Sequence, residues 1–148
     1  MAALLQTLFG FTWDKEGWEA PLQLALAGVG AAEAAWRPSG GGNTIRQTLN
    51  HLNHYDARTL ARLTGATPPA DVPSNEASFG DPGDPADAAG WEAALRERRR
   101  IGDGLQAALG TVPEEKAQDL AAWVLHAAYH TGQIVLIRKQ QGSWPATR

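Results

Sequence analysis

The chain has 148 residues, which fits one domain with a core large enough to need no covalent cross-links. Charged residues make up 20% of it and the net charge is −3, and beyond a short cluster at 96–100 no basic block occurs, so a nucleic-acid-binding surface is not expected. Cysteine is absent, which excludes disulfides, thiolate metal sites and a cysteine nucleophile.

The N-terminal segment 1–11 is apolar, but it is too short to span a bilayer and lacks the basic start of a signal peptide. We therefore expect a cytoplasmic protein with no membrane partner. Apolar side chains between Leu4 and Phe9 recur at helical spacing and predict a short first helix that breaks near Gly10.

Between Trp18 and Trp36, apolar residues recur every three or four positions. This spacing predicts one continuous amphipathic helix. Pro21 falls in its first turn, where a missing N–H is tolerated, and Pro38 stops it. A glycine-rich loop at 38–42 then leads to the next element.

Asn43 or Thr44 is the predicted N-cap of the following helix, which continues to about Leu63 and ends at Gly65. The segment 66–89 is rich in proline, glycine, aspartate and serine and has no periodicity. We expect a long loop there rather than a hidden helix.

A third long helix is predicted from about Ala86 to Leu109, with Gly102 and Gly104 as weak points or sites of close approach. Pro113 opens the last helix, which runs to about Gln140 and ends at Gly142. No segment alternates between apolar and polar residues as a strand would. The predicted fold is therefore all-α, an antiparallel four-helix bundle with one long crossover loop, forming a single domain over 1–148.

The four histidines fall into two helical pairs, His51 with His54 and His126 with His130. A step of four residues turns a helix by about 400°, so His126 and His130 leave the same face one turn apart and can reach one metal ion. The motif is not that of a zinc-protease helix, because Ala127 stands where that motif has glutamate.

Taken singly, a helical histidine is more often a hydrogen-bonded core or surface residue than a metal ligand. His126 and His130 have apolar neighbours on nearly all sides, where an unpaired imidazole costs about 1–3 kcal/mol, so a shared metal ion is the economical partner. On the earlier helix, His51 lies about 135° from the centre of the apolar stripe and His54 about 165°. His51 is thus nearer the buried edge, and we expect His54 to be solvated.

Two segments carry a family resemblance. Residues 44–52, TIRQTLNHL, and residues 126–134, HAAYHTGQI, with the tail GSWP at 142–145, resemble the helix motifs of the DinB/YfiT-like superfamily, the damage-inducible family of proposed metalloenzymes. The resemblance covers nearly the whole chain in its order of helices and loops. It implies a helical bundle with a three-histidine site for a divalent metal, one ligand from the second-helix motif and two from the last helix.

By position, the implied metal ligands are His51, His126 and His130, and His54 matches no ligand position. Zinc and nickel are the foremost metals, while iron, cobalt and manganese are also compatible with a histidine site. The resemblance further implies a homodimer and a small-molecule substrate. Some members are thiol-dependent transferases or isomerases, and this chain, lacking cysteine, would need an external low-molecular-weight thiol.

The sequence is also compatible with other functions and other roles for individual residues. Hydrolysis by a metal-activated water is chemically as reasonable as thiol transfer, and so is a non-catalytic metal-binding or stress-related protein whose ion only ties helices together. Gln133 could contact a ligand or another helix, while Tyr55 and Asp56 could orient a histidine or face solvent. The arginines at 96–100 are predicted to form a solvated face with one or two stems packed down.

Overall fold

The computed structural model of the chain describes residues 2–145, and every regular element in that range is helical, which confirms the all-α class. Short 3-10 turns occur at Glu76–Phe79, Leu109–Thr111 and Glu114–Lys116. The α-helices are α1 (Ala2–Trp13), α2 (Leu22–Leu26), α3 (Ala31–Ala34), α4 (Ile45–Thr64), α5 (Ala88–Ala108) and α6 (Ala117–Gln141).

The bundle consists of the four long helices α1, α4, α5 and α6. Contacts between α4 and α5 join residues whose numbers increase together along both helices. Arg46 donates to the carbonyl of Gly90, and ten residues further along α4 Asp56 binds Arg98. These two helices therefore run parallel, and the segment between them must return along the bundle. This is the long crossover loop that the sequence predicts.

The opposite direction holds for α4 and α6. His51 lies against His126, whereas the later Asp56 lies against the earlier Trp123. The two helices that carry histidines are thus antiparallel neighbours. The centre of the core is formed by fully buried aliphatic residues of the long helices, among them Ile45, Leu49, Leu52, Ile101, Leu105 and Ile134.

The prediction of one continuous helix between Trp18 and Trp36 is wrong. Two short helices, α2 and α3, stand there, separated at Gly28, whose φ of 74° is left-handed and interrupts the helix. Trp18 is fully exposed instead of buried. The first bundle helix is α1, and it passes through Gly10 to the buried Trp13, so the predicted break near Gly10 is also wrong. Burial of Trp13 outweighs the cost of about 1 kcal/mol for a glycine inside a helix.

The boundaries of α4 confirm the sequence-based prediction. Thr44 is the N-cap: its hydroxyl accepts from the backbone N–H of Gln47, and the Gln47 side chain accepts from the N–H of Thr44 in return. Gly65, with a φ of 72°, ends the helix in the left-handed region. This cap fixes the direction of the helix that carries His51.

The last helix begins later than predicted. A 3-10 turn at Glu114–Lys116 follows Pro113, and α6 starts at Ala117; its end at Gly142, with a φ of 73°, is as expected. By length and composition alone, the stretch Gln118–Gln141 is long and apolar enough to cross a membrane. The core helix of a soluble protein can meet the same two criteria. In this structure 39% of the most apolar part of that stretch is buried inside the bundle.

A buried ion pair joins α4 to α5. Arg98 Nη1 donates to Asp56 Oδ2 at 2.7 Å, and both side chains are almost completely buried. The guanidinium also lies over the ring of Trp13, 5.3 Å from its centroid. The predicted solvated arginine face therefore holds for Arg100, which pairs with Glu97 on the surface, but not for Arg98.

Candidate metal centre

His51, His126 and His130 come together between α4 and α6. One ligand-type nitrogen of each lies within 4.8 Å of those of the other two, and the Nε2 atoms of His51 and His126 are 2.9 Å apart. His51 and His130 are buried and His126 is half-buried. The two predicted histidine pairs thus contribute three members to one cluster.

The crossover loop holds the ring of His51 in place. Ser78 Oγ donates to the backbone carbonyl of Asn75 at 2.5 Å, so its lone pair is left to accept from His51 Nδ1–H at 2.6 Å. Phe79 stacks on the other side of the imidazole, with ring centroids 4.1 Å apart and planes 11° from parallel. The proton on Nδ1 leaves Nε2 of His51 unprotonated, with its lone pair facing Nε2 of His126 inside the cluster.

His130 is oriented in a similar way from its own helix. The side-chain oxygen of Gln133 lies 2.7 Å from His130 Nδ1 and accepts a hydrogen bond from Nδ1–H, so Nε2 is the unprotonated nitrogen of His130. Of the two interpretations of Gln133 that the sequence left open, the structure supports the contact with a histidine. Carbonyl or hydroxyl partners at the second ring nitrogen are typical of histidines that ligate metals.

The cluster is kept uncharged by its surroundings. Burial, followed by repulsion from His130, His126 and His54, lowers the pKa of His51 from 6.5 to about 4. Burial also lowers the pKa of His126 and of His130. All three imidazoles are therefore neutral at pH 7, the protonation state in which histidine binds a metal ion.

His54 lies outside this cluster, as the resemblance implied. Its Nε2 atom is 3.7 Å from a carboxylate oxygen of Asp71 in the crossover loop, and its ring packs edge-on against Tyr55. The expectation that His54 is solvated is wrong, because the loop covers it and leaves only 12% of the side chain exposed.

Tyr55 and Asp56 have different roles. The ring of Tyr55 contacts that of His51 edge-on at 4.9 Å, and its hydroxyl donates to the side chain of Asn75 at 3.3 Å. Asp56 is buried, and besides the bond from Arg98 it accepts one from Trp123 Nε1 at 2.6 Å; its charge partly opposes the lowering of the pKa of His126 and His130. Tyr55 therefore supports the cluster directly, whereas Asp56 fixes the neighbouring wall.

A cavity of about 500 Å³ opens beside the cluster, between α4 and α6. His126 and Tyr55 line the end that is next to the other histidines. Trp123 forms part of the wall, and Asn75 of the crossover loop lines it too. A small molecule in this cavity would reach the exposed side of the histidine cluster.

The comparison with protein families agrees with this geometry. The model of the DinB superfamily matches residues 15–134, a span that contains α4 and all three clustered histidines. The chain belongs to the DinB superfamily. No curated protein and no solved structure matches this DinB protein, so the comparisons extend no further than the family.

The donor set of the DinB protein fits a divalent ion. Two of its imidazoles are held with Nδ1 protonated and Nε2 unprotonated, and no fourth histidine or carboxylate joins the group in the part of the chain that the structure describes. Three neutral nitrogens suit zinc, nickel, iron, cobalt and manganese alike, so the geometry of the group does not distinguish these metals.

Sequence reasoning missed the contributions of the loop. Ser78 and Phe79 contact His51 from a segment without helical or strand periodicity, and neither residue type is distinctive there. The only available signal was the expectation that a buried imidazole needs a partner, and it does not say which residue supplies one.

Proposed function

We propose that this protein is a metal-dependent enzyme acting on a small molecule, with His51, His126 and His130 as ligands of one divalent ion. The observation that carries the proposal is a cluster of three neutral imidazoles, one of which, His126, lines the inner end of a cavity of about 500 Å³. Structural zinc sites are closed by four protein ligands, whereas three ligands beside a cavity leave a position for water or substrate.

A divalent ion bound there would lower the pKa of a coordinated thiol or water and act as a Lewis acid. The chain's own residues orient the ligands: Ser78 holds the protonated edge of His51, and Gln133 that of His130. Tyr55 and Trp123 shield the cavity side. We propose a low-molecular-weight thiol as co-substrate of a transfer reaction, with hydrolysis as the alternative chemistry of the same site. Zinc and nickel are the first metals to test.

Metal content tests the ligand set. The purified protein, expressed with each metal in excess, is expected to hold one equivalent, and His126→Ala is expected to hold less than a tenth. His54→Ala is the matched control and should retain the ion. A wild-type protein with less than a tenth of an equivalent would overturn the proposal.

Turnover separates an enzyme from a metal-binding protein without activity. The metal-loaded and metal-free forms are compared in the addition of a thiol to an electrophile and in the hydrolysis of an activated ester. Metal-dependent turnover that His126→Ala abolishes, with little change in melting temperature, supports catalysis. A large fall in melting temperature on loss of the ion, without turnover by the loaded protein, indicates the structural alternative.

We also propose that the chain forms a homodimer through the outer face of α6. Leu125, Tyr129 and Leu136 are 71%, 64% and 55% exposed and lie on one face at helical spacing. No charged residue occurs from 120 to 137, so this face offers nothing to a charged partner, whereas a second copy presents a matching apolar stripe.

A further inference from the structure

We infer that the cavity beside the histidine cluster selects an elongated apolar substrate that carries a carboxylate at the end remote from the histidines. The inference rests on the proposed function, because it names the substrate class of the same site. Arg62 on α4 and Lys116 before α6 line the cavity together with a single acidic residue, Asp119. The remaining lining residues, including the neutral His126 at the inner end, are uncharged.

The positive charges stand far from the reacting end. Along α4 the lining passes from Tyr55, beside the cluster, to Arg62, seven residues later. At 1.5 Å per residue this separation is about 10 Å along the helix axis. On α6, which runs in the opposite direction, Lys116 precedes His126 and lies toward the same outer end. A substrate that touches both ends has its charge and its reactive group well apart.

The side chain of Arg62 is held by a contact within its own helix. Its Nη2 atom donates to the hydroxyl of Thr59, another cavity residue, at 3.1 Å. Neither Arg62 nor Lys116 forms an ion pair with a carboxylate among the described side chains, in contrast to Arg58 and Arg98. As far as the described residues go, the remaining N–H groups of both cations are therefore available to an anionic ligand.

The wall between the two ends is apolar. It includes Leu120 and Trp123, which suit an alkyl or aromatic body, and Leu63 lies next to Arg62 at the outer end. Trp123 is fixed twice, by its hydrogen bond to Asp56 and by stacking on Phe9 with ring centroids 5.4 Å apart. A preformed wall of this kind binds an apolar body without first having to order its own side chains.

The charge balance favours a carboxylate over a phosphate. Two cations and Asp119 give the outer end a net charge of +1, which matches a ligand group with a single negative charge. A doubly charged phosphate would leave one negative charge unpaired next to Asp119.

Cobalt-loaded protein and two thiols of equal length test the inference. 8-Mercaptooctanoate carries the carboxylate, and 8-mercapto-1-octanol replaces it by a neutral hydroxyl; the thiolate-to-cobalt absorption band reports the binding of either. We expect the carboxylate to bind about tenfold more tightly, the ratio that one charge-assisted contact supplies. The double variant Arg62→Gln, Lys116→Gln should bring the two dissociation constants within about twofold of each other.

The matched control is Arg99→Gln, which removes an exposed cation from α5 that does not line this cavity, and it should leave the preference unchanged. Three results would each overturn the inference. They are equal binding of the two thiols by the wild type, a preference that persists in the double variant, and no binding of either thiol by the cobalt-loaded protein. Failure of cobalt to load contradicts the proposed function instead. In that case tryptophan fluorescence of the metal-free protein, titrated with octanoate and with octanol, tests the carboxylate end by itself.

Discussion

The Nδ1 atom of His51 lies 2.6 Å from the hydroxyl oxygen of Ser78, although 27 positions separate the two residues in the chain. The histidine belongs to a capped helix and the serine to the loop that returns along the bundle. The loop therefore selects which nitrogen of His51 carries the proton, and with it the nitrogen that is free to bind a metal.

Replacing Ser78 by alanine should weaken metal binding by about 10- to 100-fold, because the ring of His51 loses its orienting acceptor. Titration with cobalt in competition with a chelator measures the affinity. Ser39→Ala, in the exposed glycine-rich loop, is the control and should bind as the wild type does. An unchanged affinity of Ser78→Ala would show that packing against Phe79 is sufficient to orient the ring.

Asp56→Asn should lower the free energy of unfolding by about 3–5 kcal/mol, since it leaves the charge of Arg98 buried without a counter-ion. Urea denaturation of the metal-free protein measures the change. Glu97→Gln breaks the exposed pair with Arg100 and should cost no more than about 1 kcal/mol. Equal effects of the two substitutions would contradict the importance assigned to burial.

Gly102→Ala and Gly132→Ala should have opposite effects. A Cβ at Gly102 would lie 2.4 Å from ring atoms of Trp13, so overpacking should cost about 1–3 kcal/mol. A Cβ at Gly132 meets nothing within 4 Å, and alanine there should add up to about 1 kcal/mol through its helix propensity. Thermal unfolding at a concentration where the chain is monomeric compares them; stabilisation by Gly102→Ala would contradict the close contact.

The stability of the metal-free protein should fall as the pH is lowered. The pKa of His51 is lowered to about 4 in the folded chain, whereas an unfolded histidine titrates near 6.5. The unfolded state thus binds a proton first, and the folded state loses about 3 kcal/mol between these pH values. Urea denaturation at several pH values measures the loss, and His51→Asn should reduce it. If the free energy of unfolding of the wild type is constant between pH 6.5 and pH 4, His51 is not desolvated in the folded chain.

Leu125→Glu should convert a dimer into a monomer, because it places a charge in the exposed apolar stripe of α6. Sedimentation equilibrium measures the mass. Gln118→Glu, an exposed substitution on the same helix outside the uncharged stretch, is the control for added charge. A monomeric wild type would refute the homodimer, and binding of the wild type to lipid vesicles would assign the stripe to a membrane surface instead.

The sequence was most informative where one residue determines the local structure. Thr44 and Gly65 delimit α4 because a cap needs only the neighbouring backbone, and Gly142 ends α6 for the same reason. The meeting of His51 with His126 and His130 followed from helical spacing together with a family resemblance.

The same reasoning failed where distant contacts decide. Apolar spacing between Trp18 and Trp36 could not reveal that Gly28 adopts a left-handed conformation and interrupts the helix. The pairing of Asp56 with Arg98 depends on α4 and α5 running parallel, which no local pattern encodes. Tertiary packing, which outweighs local propensity, supplied what the sequence pattern lacked.

The crossover loop also divides the chemistry of the protein between two stretches of chain. The segment 66–70 is exposed and lies outside any helix, so a break there would leave His51 on one polypeptide and Ser78, His126 and His130 on the other. Neither piece alone would contain all three nitrogens proposed to bind the metal. A divalent ion would then bridge two separate molecules, and the protein would become a pair of fragments whose reassembly depends on the metal.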